Sequence, residues 1–265
     1  MTRIITTSMA GVLERLELEQ PTIITSDILT QILGEEGVRT PTRIVAARLR
    51  KNGWLLPTSK NGVWEFIPAS SAGPYSKNDP LLNIKALMAK HPNLKIGLTF
   101  QTAAWLHRVA DRIPMRLEAA IDNPKISRLL DNNIVSSVFS PNLQYDIING
   151  VFVLKPESII VHMTTKPRAV RSWSSAIEWL PDLAALLDIT SMQEELNNRS
   201  KAIKARTGYL LQRLRPDIAE VIYENSKPST KSWFGTRATL LRHDNKWLIA
   251  DTILPFNPKE LEKVT

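Results

Sequence analysis

Cysteine is absent from the 265-residue chain. Its absence excludes disulfides, thiolate metal sites and cysteine nucleophiles, and it fits a cytoplasmic protein. Glycine is scarce: the chain has ten, and they form neither a glycine-rich phosphate loop nor a Gly-x-Ser-x-Gly elbow. Histidine is scarcer. His91, His107, His162 and His243 are scattered, with no pair at the four-residue spacing of a helical metal site. His107 follows Ala-Trp-Leu and reads as a hydrogen-bonded core or edge residue. Asp111, Glu118 and Asp122 straddle a helix-to-strand passage where a metal could in principle sit. Glu118, Asp122 and Asp131 read better as exposed partners of nearby arginines. No run reaches the ~18 apolar residues of a membrane helix. The first twenty residues set acids among their apolar positions, unlike a signal peptide. No catalytic residues, metal, cofactor or membrane partner are expected.

What is present is ordinary globular material, 43% hydrophobic and 23% charged, in a chain long enough for two or three domains. The formal charge of +8 favours polyanionic partners, but its distribution says more than its sum. Residues 1–70 hold eight Lys/Arg and seven Asp/Glu, yet Arg39 to Lys60 contains six bases and no acid. A second such block runs from Arg199 to Arg215, again with six bases and no acid.

Helical spacing of Met9, Val12, Leu13 and Leu16 predicts a helix over 8–19, ended by Pro21. Thr25 or Ser26 can cap a second helix carrying Ile28, Leu29, Ile32 and Leu33. Thr40-Pro41 reads as an N-cap and first turn of a third helix, which Gly53 stops. Trp54-Leu-Leu56 and Val63 to Ile67 flank a turn at Ser59-Lys-Asn-Gly62, a hairpin signal. Residues 71–80 read as a linker. The remainder, 81–265, reads as a mixed α+β domain with a candidate subdivision near 190. Helices are expected at 81–90, 102–108, 173–188 and 192–224, with a break at Arg215-Pro216. Strands are expected at 115–121, 135–139, 150–154 and 159–163, and within 233–256.

Three helices followed by a hairpin is the winged helix-turn-helix order, and 1–70 is assigned to it. A helix of this size fits the major groove of DNA, and a wing can follow the phosphates. Val45 and Leu49 share the inner face of the third helix, and Arg43, Ala47, Arg50 and Lys51 the outer, with Arg48 at a flank. The candidate DNA-binding residues are Arg39, Thr40, Thr42, Arg43, Ala47, Arg48, Arg50 and Lys51, with Lys60 and Asn61 at the wing tip. A second candidate surface comprises Arg199, Lys201, Lys204, Arg206, Arg213 and Arg215, with Lys231 and Arg237 beside Trp233. Its bases are expected to face outward from a helix whose apolar stripe is Ile203, Leu210, Leu211 and Leu214. A solvated helix face explains that block equally well.

Several segments together resemble the AbiEi family of antitoxins from type IV toxin–antitoxin systems. They are Leu49-Arg-Lys-Asn-Gly-Trp-Leu-Leu-Pro-Thr58 with Gly62-Val-Trp, and Leu98-Thr-Phe-Gln-Thr-Ala-Ala-Trp-Leu-His107. At the far end stand Ala205-Arg-Thr-Gly-Tyr-Leu-Leu-Gln-Arg-Leu-Arg-Pro-Asp217, Trp233-Phe-Gly, His243-Asp and Ala250-Asp-Thr-Ile-Leu-Pro-Phe256. Relatives often carry glycine after the histidine, where this chain has Arg108. The resemblance implies a winged helix that binds inverted repeats of double-stranded DNA in its own promoter, with self-association at least on DNA. It also implies a C-terminal antitoxin domain that counters a nucleotidyltransferase-like toxin, with or without direct contact. Two other readings remain: a winged-helix transcription factor with a ligand-sensing C-terminal domain, and a nucleic-acid enzyme with a DNA-targeting domain.

Overall fold

A computed structural model describes residues 9–71 and 75–261. The chain divides into two units, Met1–Leu94 with Leu129–Asp131, and Lys95–Arg128 with Asn132–Thr265. In the first, α1 (Ala10–Glu19) buries Val12, Leu13 and Leu16, as their spacing requires. It is followed by β1 (Ile23–Thr25) and α2 (Ser26–Glu35), where the Thr25 hydroxyl accepts from Ile28 N at 3.2 Å as an N-cap. Then come α3 (Thr42–Lys51) and a hairpin of β2 (Leu55–Pro57) and β3 (Val63–Phe66). β1 pairs antiparallel with the far side of β3, giving the order β1-β3-β2. Leu16, Ile24, Leu29, Leu49, Trp54 and Phe66 meet in one core. Each full burial contributes roughly 1.5–3 kcal/mol. This is a winged helix, with one strand that hydrophobic periodicity cannot register because it is three residues long.

The first unit is also longer than expected. α4 (Leu82–Lys90) packs on β1 and β3, and the division falls after Leu94 rather than near residue 80. Of the expected linker, 72–74 lie outside the described residues. Beyond them, Lys77 N donates to the buried Glu65 carboxylate at 3.0 Å, and Asp79 pairs with Lys85 at 2.6 Å. Those contacts tie the segment to the winged helix. Residues 1–8, where the chain opens, also lie outside the described residues.

The second unit is built on a mixed sheet. Its strands are β4 (Ile96–Leu98), β5 (Leu117–Ile121), β6 (Ile134–Val138), β7 (Asp146–Ile148) and β8 (Val151–Val153). They lie in the order β6-β5-β4-β8-β7, with β5–β6 and β4–β8 parallel. The helices are α5 (Phe100–Leu106), α6 (Pro156–Thr165), α7 (Trp173–Ala185), α8 (Ile189–Leu196), α9 (Lys201–Leu211) and α10 (Pro216–Asn225). A smaller sheet of β9 (Ser232–Phe234), β10 (Arg242–Asp244) and β11 (Ile249–Asp251) runs in the order β10-β11-β9. The strand expected at 159–163 is the middle of α6. Every residue from Glu157 to Thr164 is buried, so the helix has no exposed face, and its short run Ile159-Ile-Val161 reads as a strand. Residue 190 lies inside this unit, where α6 packs on α8 and α9. Arg108, the departure from the family pattern, has φ 63°, the left-handed conformation that glycine adopts without strain.

Candidate nucleic-acid interface

α3 presents one side to the core and the other to solvent. Val45, Ala46 and Leu49 are buried, and Arg43, Ala47, Arg48, Arg50 and Lys51 are exposed. Arg39 is exposed just before the helix. The helix begins one residue later than Thr40-Pro41 suggests. Pro41 itself is the N-cap, with ψ 137°, and its carbonyl accepts from Ile44 N at 2.8 Å. Thr40 therefore caps nothing, and Thr42 faces α2, where its hydroxyl meets that of Thr30 at 2.8 Å. Thr42 thus braces α3 against α2. Among the described residues, Arg39, Arg43, Arg48, Arg50 and Lys51 form no ion pair. Arg15, Lys60 and Lys85 of the same unit are all paired.

One further residue belongs to this face. Ile44 is 40% exposed, an apolar side chain set among the bases. The helical period of α3 already placed it there; attention to charge alone passed over it.

The wing is tied down. Gly62, at φ 76°, accepts from Ser26 N at 2.9 Å through its carbonyl, and the Asn61 carbonyl accepts from Lys90 Nζ at 2.6 Å. Lys60 donates to Asp131 Oδ1 and to Leu129 O, each at 2.8 Å, and is only 16% exposed. The wing-tip ammonium is thus engaged rather than free for phosphate, because Leu129–Asp131 groups with this unit. Asn61 remains exposed. Asp131 meets this lysine, not an arginine.

The second basic block separates into two kinds of residue. Arg199 pairs with the buried Glu195 at 2.7 Å, donates to Ser140 O, and lies 4.8 Å over the Phe139 ring. Arg206 is largely buried and donates to Thr164 O at 3.1 Å. Arg215 donates to the carbonyls of Ala184 and Leu187 at the end of α7 while Asp217 grips its other edge at 2.7 Å. These three guanidiniums face inward, contrary to expectation: Arg206 and Arg215 reach carbonyls of buried residues that only the fold brings near, and Arg199 is held by the buried Glu195. Lys201 and Arg213 are exposed and Lys204 is half-buried. Lys231 and Arg237 are exposed too, the former 5.5 Å over the Trp233 ring, while Phe234 is a core residue.

Histidines and carboxylates hold the second unit together. The His107 Nε2–H donates to the Leu154 carbonyl at 2.9 Å. His162 is fully buried, with Thr99 Oγ1 at 2.9 Å from Nδ1, Ser137 Oγ at 2.8 Å from Nε2, and Phe139 stacked on its ring. Burial holds it neutral, pushing its pKa down to about 3. Thr99 stands at the α5 N-cap, but its hydroxyl serves His162. The capping acceptor is instead Glu118, which takes Gln101 N at 2.9 Å. Glu118 is therefore buried, not exposed, and burial raises its pKa to about 7. Among the described residues, no cluster of three or more His, Asp or Glu could hold a metal, and no helix is long and apolar enough to cross a membrane.

Residues 95–213, nearly all within the second unit, match the family model of the AbiEi antitoxin C-terminal domain. A comparison with curated proteins finds no match. Among solved structures, the crystal structure of the RV2827C protein from Mycobacterium tuberculosis is similar in fold, with a TM-score of 0.70 at 23% identity. The alignment covers 95% of this chain and 94% of that one.

Proposed function

We propose that the chain, whose residues 95–213 match the family model of the AbiEi antitoxin C-terminal domain, is a cytoplasmic antitoxin that represses its own operon. In this reading the first unit binds inverted repeats of double-stranded DNA in the promoter, and two copies associate at least on that DNA. The second unit counters a nucleotidyltransferase-like toxin.

The observation that carries the DNA-binding half is the set of unpaired bases on α3. A cation near a carboxylate normally pairs with it, as Arg15 and Lys60 do here. Among the described residues Arg43, Arg48, Arg50 and Lys51 have no such partner, and they share one exposed face. Arginine there can hold guanine O6 and N7 through two hydrogen bonds, and Ala47 lets the backbone come close to base edges. Ile44 is placed to meet a thymine methyl. The tied wing leaves the helix as the main reader.

Arg43→Ala and Arg50→Ala should each weaken binding to the promoter by at least ~1 kcal/mol, about fivefold in Kd. A gel shift on the upstream DNA measures this. Unchanged affinity in both variants would contradict the assignment. For the antitoxin half, deleting 95–265 while keeping the winged helix should abolish rescue of cells expressing the neighbouring toxin gene.

A further inference from the structure

A cavity of about 250 Å³ lies within the second unit and is lined by residues of that unit. One wall is β5 and the edge strand β6, which contribute Glu118, Ser136 and Ser137. Arg116 precedes β5, and Arg168 and Arg171 come from the segment after α6. The floor includes Phe100, whose φ of 48° is a conformation that bulky side chains avoid.

The charge balance of this cavity is lopsided. Three guanidiniums face one carboxylate, and that carboxylate is already spent as the cap of α5. Among the described residues, Arg116, Arg168 and Arg171 form no ion pair or hydrogen bond. Arg199, Arg215 and Arg242 of the same unit are each held by an acid. Three like charges around one small cavity repel each other unless an anion sits between them. Arginine's planar fork suits phosphoryl oxygens, and Ser136 adds a hydroxyl donor, whereas the Ser137 hydroxyl is engaged by His162. The volume is below the ~300–1,000 Å³ of sites that enclose drug-sized ligands, so a compact group fits better than a whole dinucleotide.

We propose that this cavity binds a compact phosphoryl dianion, either free inorganic phosphate or the terminal phosphate of a small monoester. Arg116, Arg168 and Arg171 hold the oxygens from the rim, and Ser136 orients them. The site is independent of DNA binding by α3. It gives the antitoxin domain a small-molecule input that its family match does not assign.

The test uses the full chain and isothermal titration with inorganic phosphate and, separately, glycerol 2-phosphate, against sodium chloride at equal ionic strength. One saturable site per chain is expected. The double variant Arg168→Ala, Arg171→Ala should weaken it at least tenfold, and Arg168→Lys, Arg171→Lys should fall between. Lys125→Ala, on an exposed turn outside the cavity, should leave it unchanged. Both arginines are exposed and unpaired, so the variants should keep the wild-type circular dichroism spectrum. Tighter binding of the ester supports the proposal and identifies the ligand as a monoester. Equal or tighter binding of phosphate supports it and identifies the free ion. Heat indistinguishable from chloride, or equal binding by the double alanine variant, overturns it.

Discussion

Glu118 and His162 show burial acting on two titratable groups in opposite senses. Glu118 keeps its proton up to about pH 7 in the fold, against an ordinary value of 4.5. Between those values the folded chain holds a proton that the unfolded chain has shed, so this residue's contribution to stability falls as pH rises and stays low above 7. His162, held near 3 instead of 6.5, works the other way: below pH 6.5 the unfolded chain takes a proton that the folded core refuses. Glu118→Gln keeps an oxygen for Gln101 N and removes the first effect alone. Relative to wild type, this variant should be more stable at pH 8 than at pH 5 in urea unfolding. An equal difference at both pH values would contradict the burial account. Neither environment was legible in the sequence. Glu118 reads as a surface acid because the helix end it caps, at Gln101, sits 17 positions earlier, across the turn into β5. The inward turn of Arg215 was hidden for the same reason, since the carbonyls it satisfies belong to α7. The outward face of α3 was legible, because the helical period alone assigns it.

At the level of elements, periodicity separates what could be read from what could not. The amphipathic helices α1, α2 and α3 and the wing hairpin follow from spacing and turn residues. β1, β4 and β7 are three residues each, too short to alternate visibly. α6 is buried all round, its apolar run Ile159-Ile-Val161 has the look of a strand, and Pro156 at its first turn marks it as a helix. The family motif around Gly208 has a packing explanation. A Cβ at Gly208 would lie 2.0 Å from the ring of Trp247, which is fully buried against α9. Gly208→Ala should therefore cost about 1–3 kcal/mol, the usual range for overpacking. A urea midpoint unchanged by the substitution would show that β11 and its loop can retreat from α9 at no cost.

For the whole molecule, the order of elements and the charge sorting led to the winged helix and the mixed domain that follows it. They did not give the boundary, because α4 carries no mark of belonging to the sheet it covers. The proposed DNA-facing surface is narrower than the sequence suggests: it centres on the outer face of α3, because Lys60 is engaged by Asp131 and Thr42 turns to α2. The most direct measurement of the central claim is a DNase footprint of the full chain on the DNA upstream of its own gene. Protection of an inverted repeat, lost in the Arg43→Ala, Arg50→Ala double variant, is the predicted result. Protection no stronger than on unrelated DNA, or a footprint that survives the double substitution, would contradict the account.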